Sequence, residues 1–261
     1  MTVRLIAIDL DGTLLNSAGE VSPRTLTAMK AAQERGILLA PATARWYQAA
    51  IRPLRPLGQP VAAIASGGAD VRGAGGVVVE QRLLDGTFAE FLAGLCDRAG
   101  WTATLSTPER AYRRADELPA WAVNAPEWLK PVTSFEAGQL RAALSVLAEA
   151  TPGDPHMPEL DAWADRISLH RAISFNGDAL MTITAPGVDK GSGLFALCRH
   201  VGIEPSQAVA IGDSEVDIPM FRVAGVSVAM GNASPEARAA ATQVTGEADE
   251  DGVAQFIESL L

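Results

Sequence analysis

The N-terminal residues 3–13 constrain the fold of this 261-residue chain more than any other segment. A largely apolar run ends on Asp9 and Asp11, which is typical of a buried parallel strand whose charges come only at its end. Because side chains at positions i and i+2 of an extended chain point to the same side, we expect these two carboxylates to share one small volume. Two carboxylates that close together repel unless a cation lies between them or one takes a proton. Such a pair suits phosphoryl transfer.

Two other interpretations of this acidic pair involve no catalysis. Asp-Gly is a common turn, so the pair could simply end a strand, and this alternative stays open from the segment alone. A calcium loop starting at Asp9 would use Glu20 as its last ligand, but such a loop needs glycine at its sixth position and a helix before it. Leu14 occupies that position and a strand precedes it, so a calcium loop is excluded.

Composition and charge limit the binding partners and the cellular compartment that we expect for this protein. The net charge is −10, the isoelectric point is about 4.8, and no block rich in lysine or arginine is present, so we expect neither nucleic acid nor a membrane as a partner. Cys96 and Cys198 match no zinc or redox spacing, and so few cysteines are typical of a reducing cytoplasm. Asp9 interrupts the first apolar run too early for a signal peptide. We therefore predict a cytoplasmic protein.

Strands and helices alternate at both ends of the chain. Strands are predicted at 37–42, 61–65, 208–211 and 226–229, and helices after Ser22-Pro23, at 46–57, 190–201 and 216–224, and from Gly252. A hairpin is predicted over 71–80. This alternation predicts an α/β fold with a doubly wound, Rossmann-like parallel sheet that binds ligands at the carboxyl ends of its strands.

The middle of the chain differs in character. Helices predicted at 88–99 and 136–150 alternate there with short strands and proline-rich connections. We interpret residues 83–185 as an inserted α+β cap domain, and residues 1–82 and 186–261 as the core.

Polar side chains follow several strands of the predicted core. Besides Asp9 and Asp11, these are Thr43, Ser66 and the pair Asp213 and Asp217. Spacing of i, i+4 would place the last pair on one helix face, although acidic residues also simply favour helix N-termini. Together the carboxylates favour a hard-cation site, and Mg²⁺ is its natural occupant. Lys190 opens a helix, but a lone lysine is usually solvated.

The chain resembles the haloacid dehalogenase-like phosphatases. Their four motifs are matched in order by Asp9-Leu10-Asp11-Gly12-Thr13, Thr43-Ala44-Arg45, Lys190, and Gly212-Asp213-Ser214-Glu215-Val216-Asp217. The inserted region, with Ala229-Met230-Gly231-Asn232-Ala233 and Glu250-Asp251-Gly252-Val253, resembles the Cof-type branch with its large α/β cap.

The resemblance implies a Mg²⁺-dependent phosphatase that acts on a small phosphate monoester, such as a sugar phosphate, through an aspartyl-phosphate. Asp9 would be the nucleophile and Asp11 the general acid and base. Thr43 and Lys190 would hold the phosphoryl oxygens. The substrate site would comprise Leu10, Thr43, Ala44, Arg45 and Lys190. The Mg²⁺ site would comprise Asp9, Asp11 through its backbone carbonyl, Asp213, and Asp217 as a ligand or as a residue that holds a bound water.

Three residues depart from the family pattern. The family usually has glycine at Ala44 and asparagine at both Gly67 and Val216. In the family the two asparagines commonly contact phosphate or substrate, so their loss leaves the nucleophile and the metal site in place and affects the binding and choice of substrate. A hexose-phosphate phosphomutase using the same intermediate, or a ligand-binding relative with weak residual activity, are the alternative functions.

Overall fold

A computed structural model describes residues 2–117, 122, 124–173 and 177–261 of the chain. It divides into two compact units. The first, the core unit, comprises Met1–Glu80 and Asp189–Leu261, and the second, the inserted unit, comprises Gln81–Val188. Each unit buries its own apolar cluster, so each has the interior expected of a domain.

A parallel sheet of five strands forms the centre of the core unit. Its strands are β1 (Leu5–Ile8), β2 (Leu38–Pro41), β12 (Ala208–Gly212), β13 (Val226–Ala229) and β14 (Gln243–Val244), in the order β14-β13-β12-β1-β2. Ile8 lies opposite both Pro41 and Ile211, so β1, β2 and β12 end at the same edge of the sheet. Any polar residue that directly follows these strands is therefore brought to that edge.

Helices of the core unit follow its strands. They are α1 (Pro23–Glu34), α2 (Tyr47–Ile51), α5 (Lys190–Val201), α6 (Ile218–Val223), α7 (Pro235–Ala240) and α8 (Gly252–Leu260). Ser22 caps α1 as predicted, because its side chain accepts a hydrogen bond from the backbone N–H of Thr25. The predicted helix over 46–57 is shorter than expected. It continues beyond α2 only as a 3₁₀ turn, Arg52–Leu57, because Pro53 and Pro56 have no N–H to donate.

A small second sheet supports the same unit. It consists of β3 (Ala63–Ala65), β4 (Asp70–Arg72) and β5 (Val78–Gln81), and β4 and β5 form the predicted hairpin. The turn between β3 and β4 has positive φ at three successive residues: 54° at Ser66, 68° at Gly67 and 101° at Gly68. A Cβ atom on Gly68 would lie 2.0 Å from the carbonyl oxygen of Asp189, the residue before α5. Only glycine permits this close approach.

We expect Gly68→Ala to destabilise the protein by about 3 kcal/mol or more, because it combines an unfavourable φ with a backbone clash. Gly19→Ala is the matched control, since Gly19 has φ of 74° and no atom within 4 Å of the added Cβ. The control should cost only about 1 kcal/mol. Urea denaturation of both variants measures the difference, and equal losses would show that the contact with Asp189 adds nothing.

The inserted unit is built on a six-stranded sheet. Its strands are β6 (Thr102–Ser106), β7 (Ala111–Arg114), β8 (Leu129–Val132), β9 (Ser145–Ala150), β10 (Ser168–Ile173) and β11 (Ala179–Thr184), in the order β10-β11-β9-β6-β7-β8. All pairs are antiparallel except β7 and β8. Two helices, α3 (Gly86–Ala99) and α4 (Ala137–Arg141), contribute to one apolar cluster with this sheet. The mixed α+β character agrees with the predicted fold class.

The helix predicted over 136–150 is wrong. Only α4 is helical, and the second half of the segment is β9, which pairs with β6 on one side and β11 on the other. Alanine and leucine favour a helix locally, but burial alternates along β9, with Val146 and Ala148 inside and Glu149 partly exposed. Pairing on both edges decides the outcome, because strand preference depends on context more than helix preference does.

The described residues contain no helix with the length and apolarity needed to cross a membrane. The sheet topology agrees with the predicted α/β class. The core unit contains a parallel sheet, and the inserted unit contains a mostly antiparallel one.

Candidate active site

Three carboxylates and one lysine converge at the carboxyl edge of the core sheet. Asp9 follows β1, Asp213 follows β12, and Asp217 ends a 3₁₀ turn that leads into α6. One oxygen of each carboxylate lies within 4.8 Å of the others. Lys190 donates from Nζ to Oδ1 of Asp9 and to Oδ1 of Asp217, both at 2.6 Å. Lysine is seldom buried without a charged partner, and Lys190 is buried with two.

Asp217 is fixed by the backbone as well as by Lys190. Its Oδ2 accepts hydrogen bonds from the N–H groups of Asp213 (3.0 Å) and Ser214 (3.1 Å). The i, i+4 spacing therefore does not place Asp213 and Asp217 on one helix face, as the sequence suggested, because Asp213 precedes the helical turn. Instead, the Asp217 carboxylate accepts a hydrogen bond from the backbone N–H of Asp213.

The loop after β1 packs directly against the Asp213 carboxylate. Thr13 donates from Oγ1 to Oδ1 of Asp213 at 2.7 Å. A Cβ atom on Gly12, whose φ is 81°, would lie 2.6 Å from Oδ2 of the same residue. No role for Thr13 was predicted from the sequence, although its position as the last residue of the first motif was the available signal.

Burial and charge shift the protonation of this cluster. Burial raises the pKa of Asp9 well above its usual range, and although Lys190 opposes this shift, the charges of Asp217 and Asp213 add to it. Burial and the charge of Asp217 raise the pKa of Asp213 to about 6. Burial alone would lower the pKa of Lys190, but the charges of Asp217 and Asp9 raise it above its ordinary value. Lys190 therefore keeps its proton, but its single positive charge does not compensate the negative charge of the neighbouring carboxylates.

We expect the metal-free protein to become more stable as the pH falls from 7 to 5. Between its ordinary pKa of 3.8 and its folded value of about 6, Asp213 binds more protons in the folded state than in the unfolded state. The free energy of unfolding therefore falls as the pH rises through this window. In urea denaturation with EDTA, wild type should gain about 1–2 kcal/mol over Asp213→Asn between pH 7 and pH 5. Parallel pH profiles would contradict this assignment.

The Asp11 side chain does not join the carboxylate cluster. It is 61% exposed and pairs with Arg45, which donates from Nε at 3.0 Å and from Nη2 at 2.5 Å. The expectation that Asp9 and Asp11 share one volume is therefore wrong. The reason is local, because β1 ends at Ile8 and the alternation of side chains applies only to extended backbone.

The remaining predicted substrate residues lie near the same sheet edge. Thr43 is buried after β2, and its Oγ1 accepts a hydrogen bond from the N–H of Arg45 at 3.2 Å. Leu10 is also buried, whereas Ala44 is only partly buried. The structure thus brings Asp9, Asp213, Asp217 and Lys190 together in one cluster. Arg45 instead forms an ion pair with Asp11 outside this cluster.

The donor set fits a divalent cation such as Mg²⁺. Asp9 accepts from Lys190 and Asp213 accepts from Thr13 through Oδ1, and among the described residues no backbone N–H, hydroxyl or ammonium group donates to Oδ2 of either carboxylate. Carboxylate oxygens are the ligands that Mg²⁺ prefers, and one lysine cannot balance three carboxylates. Asp217 differs, since both of its oxygens already accept hydrogen bonds from the protein. Asp9 and Asp213 are therefore the side chains best suited to hold the ion.

Comparison with known proteins identifies the family. The sequence model of the haloacid dehalogenase-like hydrolases matches residues 6–257 of the chain. The chain belongs to this family. The prediction of a haloacid dehalogenase-like enzyme is thereby confirmed.

Among its relatives, a 5-amino-6-(5-phospho-D-ribitylamino)uracil phosphatase of Bacillus subtilis (strain 168) is 27% identical over 98% of this chain and 94% of its own length. An HMP-PP phosphatase of Serratia proteamaculans (strain 568) is 27% identical over 99% and 95%. The solved structure of a haloacid dehalogenase-like hydrolase from B. subtilis superposes with a TM-score of 0.86 at 24% identity, covering 99% of this chain and 100% of that one. The last likeness supports the fold of this haloacid dehalogenase-like hydrolase.

Proposed function

We propose that this haloacid dehalogenase-like hydrolase is a Mg²⁺-dependent phosphatase that hydrolyses a small phosphate monoester through an aspartyl-phosphate. The observation that carries the proposal is the contact of Lys190 with both Asp9 and Asp217, beside Asp213, at one sheet edge. The names of the two phosphatase relatives, each matched over almost its full length, support a small phosphorylated metabolite as the substrate. Residues 1–82 and 186–261 would carry the chemistry, with 83–185 as the cap.

Asp9 is the proposed nucleophile. One of its carboxylate oxygens would attack phosphorus, and the bond from phosphorus to the leaving oxygen would break. Lys190 would keep the attacking carboxylate oriented, because its ammonium group also donates to Asp217, whose other oxygen accepts two backbone hydrogen bonds. The bound Mg²⁺ would neutralise charge on the phosphoryl oxygens.

Asp11 is the proposed general acid and base. It would give a proton to the leaving oxygen, and in the second step it would take a proton from the water that attacks the aspartyl-phosphate. That step releases inorganic phosphate and restores the Asp9 carboxylate. The exposure of Asp11 suits exchange of protons with substrate and solvent, and Arg45 would hold its carboxylate in place.

The deciding experiment is turnover of p-nitrophenyl phosphate by the purified protein with Mg²⁺ and with EDTA. We expect hydrolysis only with the metal, and a panel of phosphate monoesters would then give the substrate class. Analysis of the products from a hexose phosphate separates a phosphatase, which releases inorganic phosphate, from a phosphomutase, which returns the group to a second hydroxyl. Absence of turnover on every ester would contradict the proposal.

The metal assignment has its own test. Asp217→Ala should weaken Mg²⁺ binding by about 10-fold to 100-fold, as losses outside the direct ligands typically do. Asp213→Ala should weaken it further, because Asp213 has an oxygen available for the metal. Calorimetric titration of both variants with Mg²⁺ measures this order directly. Equal losses would mean that both carboxylates bind the ion.

A further inference from the structure

The segment that follows β13 contacts both loops that carry the site carboxylates. The N–H of Met230 donates to the carbonyl oxygen of Gly212 at 3.0 Å, and the N–H of Ser234 donates to that of Asp213 at 2.8 Å. Residues 230–234 are thus anchored at both of their ends, to the last residue of β12 and to Asp213 directly after it. The backbone of a residue between these two hydrogen bonds is therefore held in place relative to Asp213.

Asn232 is that side chain, and it reaches across to the loop after β1. Its Nδ2 donates to the carbonyl oxygen of Gly12 at 2.8 Å, and its Oδ1 accepts from the N–H of Ala248 at 2.9 Å. An amide has one donor end and one acceptor end, so these two partners fix its orientation. Within the described chain, no other donor forms a hydrogen bond to the Gly12 carbonyl.

We propose that Asn232 is a positioning residue that sets the distance between the loop after β1 and the Asp213 carboxylate. This inference rests on the proposed phosphatase function. Gly12 is the one residue between Asp11 and Thr13, and Thr13 already bonds to Asp213. The tether from Asn232 holds the same loop from its backbone. It therefore fixes the proposed acid Asp11 and the proposed metal ligand Asp213 relative to each other.

Loss of the tether should reduce the rate more than it reduces stability. Asn232 is exposed, so its removal leaves no cavity and no buried partner. Displacement of reacting groups by about 1 Å can nevertheless cost about 10²-fold in rate. We expect Asn232→Ala to lower kcat for p-nitrophenyl phosphate by about this factor and to raise the Mg²⁺ concentration needed for half-maximal activity.

Asn232→Asp separates the two hydrogen bonds. Aspartate keeps an acceptor for the N–H of Ala248 but presents a second oxygen, instead of a donor, to the Gly12 carbonyl. We expect this variant to be as slow as Asn232→Ala. Asn16→Ala is the matched control, because the Asn16 side chain accepts hydrogen bonds within its own turn, from the N–H groups of Ala18 and Glu20. It should keep the wild-type kcat.

Hydrogen exchange provides a measurement that does not depend on activity. The N–H groups of Thr13, Leu14 and Leu15 donate to carbonyl oxygens within the loop after β1, and both Asn232 variants should exchange them faster than wild type. Asn16→Ala should instead accelerate exchange at residues 18 and 20.

The outcomes separate the two proposals. If wild type hydrolyses no ester of the panel, the proposed function fails, while hydrogen exchange at residues 13–15 still shows whether the tether exists. If wild type hydrolyses one of these esters but Asn232→Asp keeps full kcat and unchanged exchange at 13–15, the bond to Gly12 positions nothing and the inference is overturned.

Discussion

Asp9→Asn should lower kcat by about 10⁴-fold or more while the protein stays folded, because loss of a covalent nucleophile typically has an effect of that size. The amide keeps the shape of the side chain but cannot attack phosphorus. Burial and the neighbouring carboxylates disfavour the charged form of Asp9, so a neutral residue there relieves repulsion. We therefore expect the melting temperature in EDTA to equal or exceed that of wild type.

Asp249→Asn is the control for this substitution. Asp249 accepts a hydrogen bond from the N–H of Ser17 through Oδ1, and asparagine can still accept it. Steady-state kinetics on p-nitrophenyl phosphate and a thermal melt of each variant give both readouts. Hydrolysis near the wild-type rate by a clean Asp9→Asn preparation would remove Asp9 from the role of nucleophile.

Lys190→Met should be both inactive and markedly unstable. Removing one member of a buried ion pair leaves uncompensated charge and typically costs about 3–5 kcal/mol. Here the carboxylates of Asp9 and Asp217 would face each other without their common cation. Because the pKa of Lys190 is raised, its stabilising charge is fully present below its unfolded pKa, and it is lost only as the pH rises through the still higher folded pKa. Lys190 itself therefore keeps its positive charge in both the folded and the unfolded state between pH 6 and pH 9.

Two further variants make this result interpretable. Lys30→Met removes an exposed lysine and should change stability by less than about 0.5 kcal/mol. The double variant Lys190→Met with Asp217→Asn removes one of the stranded charges and should recover part of the lost free energy of unfolding. Urea denaturation in EDTA measures all of them. Equal stability of Lys190→Met and Lys30→Met would show that the buried pairs contribute nothing.

The sequence predicted those parts of the site that depend on strand ends. Asp9 and Asp213 directly follow parallel neighbours, and the shared edge of a parallel sheet brings such residues together whatever the loops do. The burial of Lys190 was not predictable from its position alone, since a lysine at a helix start is usually solvated. Its two partners are 181 and 27 residues away in the chain.

Errors arose where a local rule was extended beyond its element. Alternation of side chains was applied past the end of β1, and it therefore placed Asp11 beside Asp9 instead of on Arg45. Helix preference was applied to β9, whose conformation depends on its neighbours in the sheet. Thr13 and Asn232 were missed for a related reason, because each acts across at least 200 residues of sequence.

The contacts of Asp217 have a consequence for laboratory evolution of this enzyme. One side chain both neutralises Lys190 and closes the turn that presents Asp213, so any substitution there alters two properties at once. Such a position offers few routes to improvement, because a gain in one property arrives with a loss in the other. Libraries that aim to change the proposed metal site should therefore vary Asp213 and Thr13 and leave Asp217 unchanged.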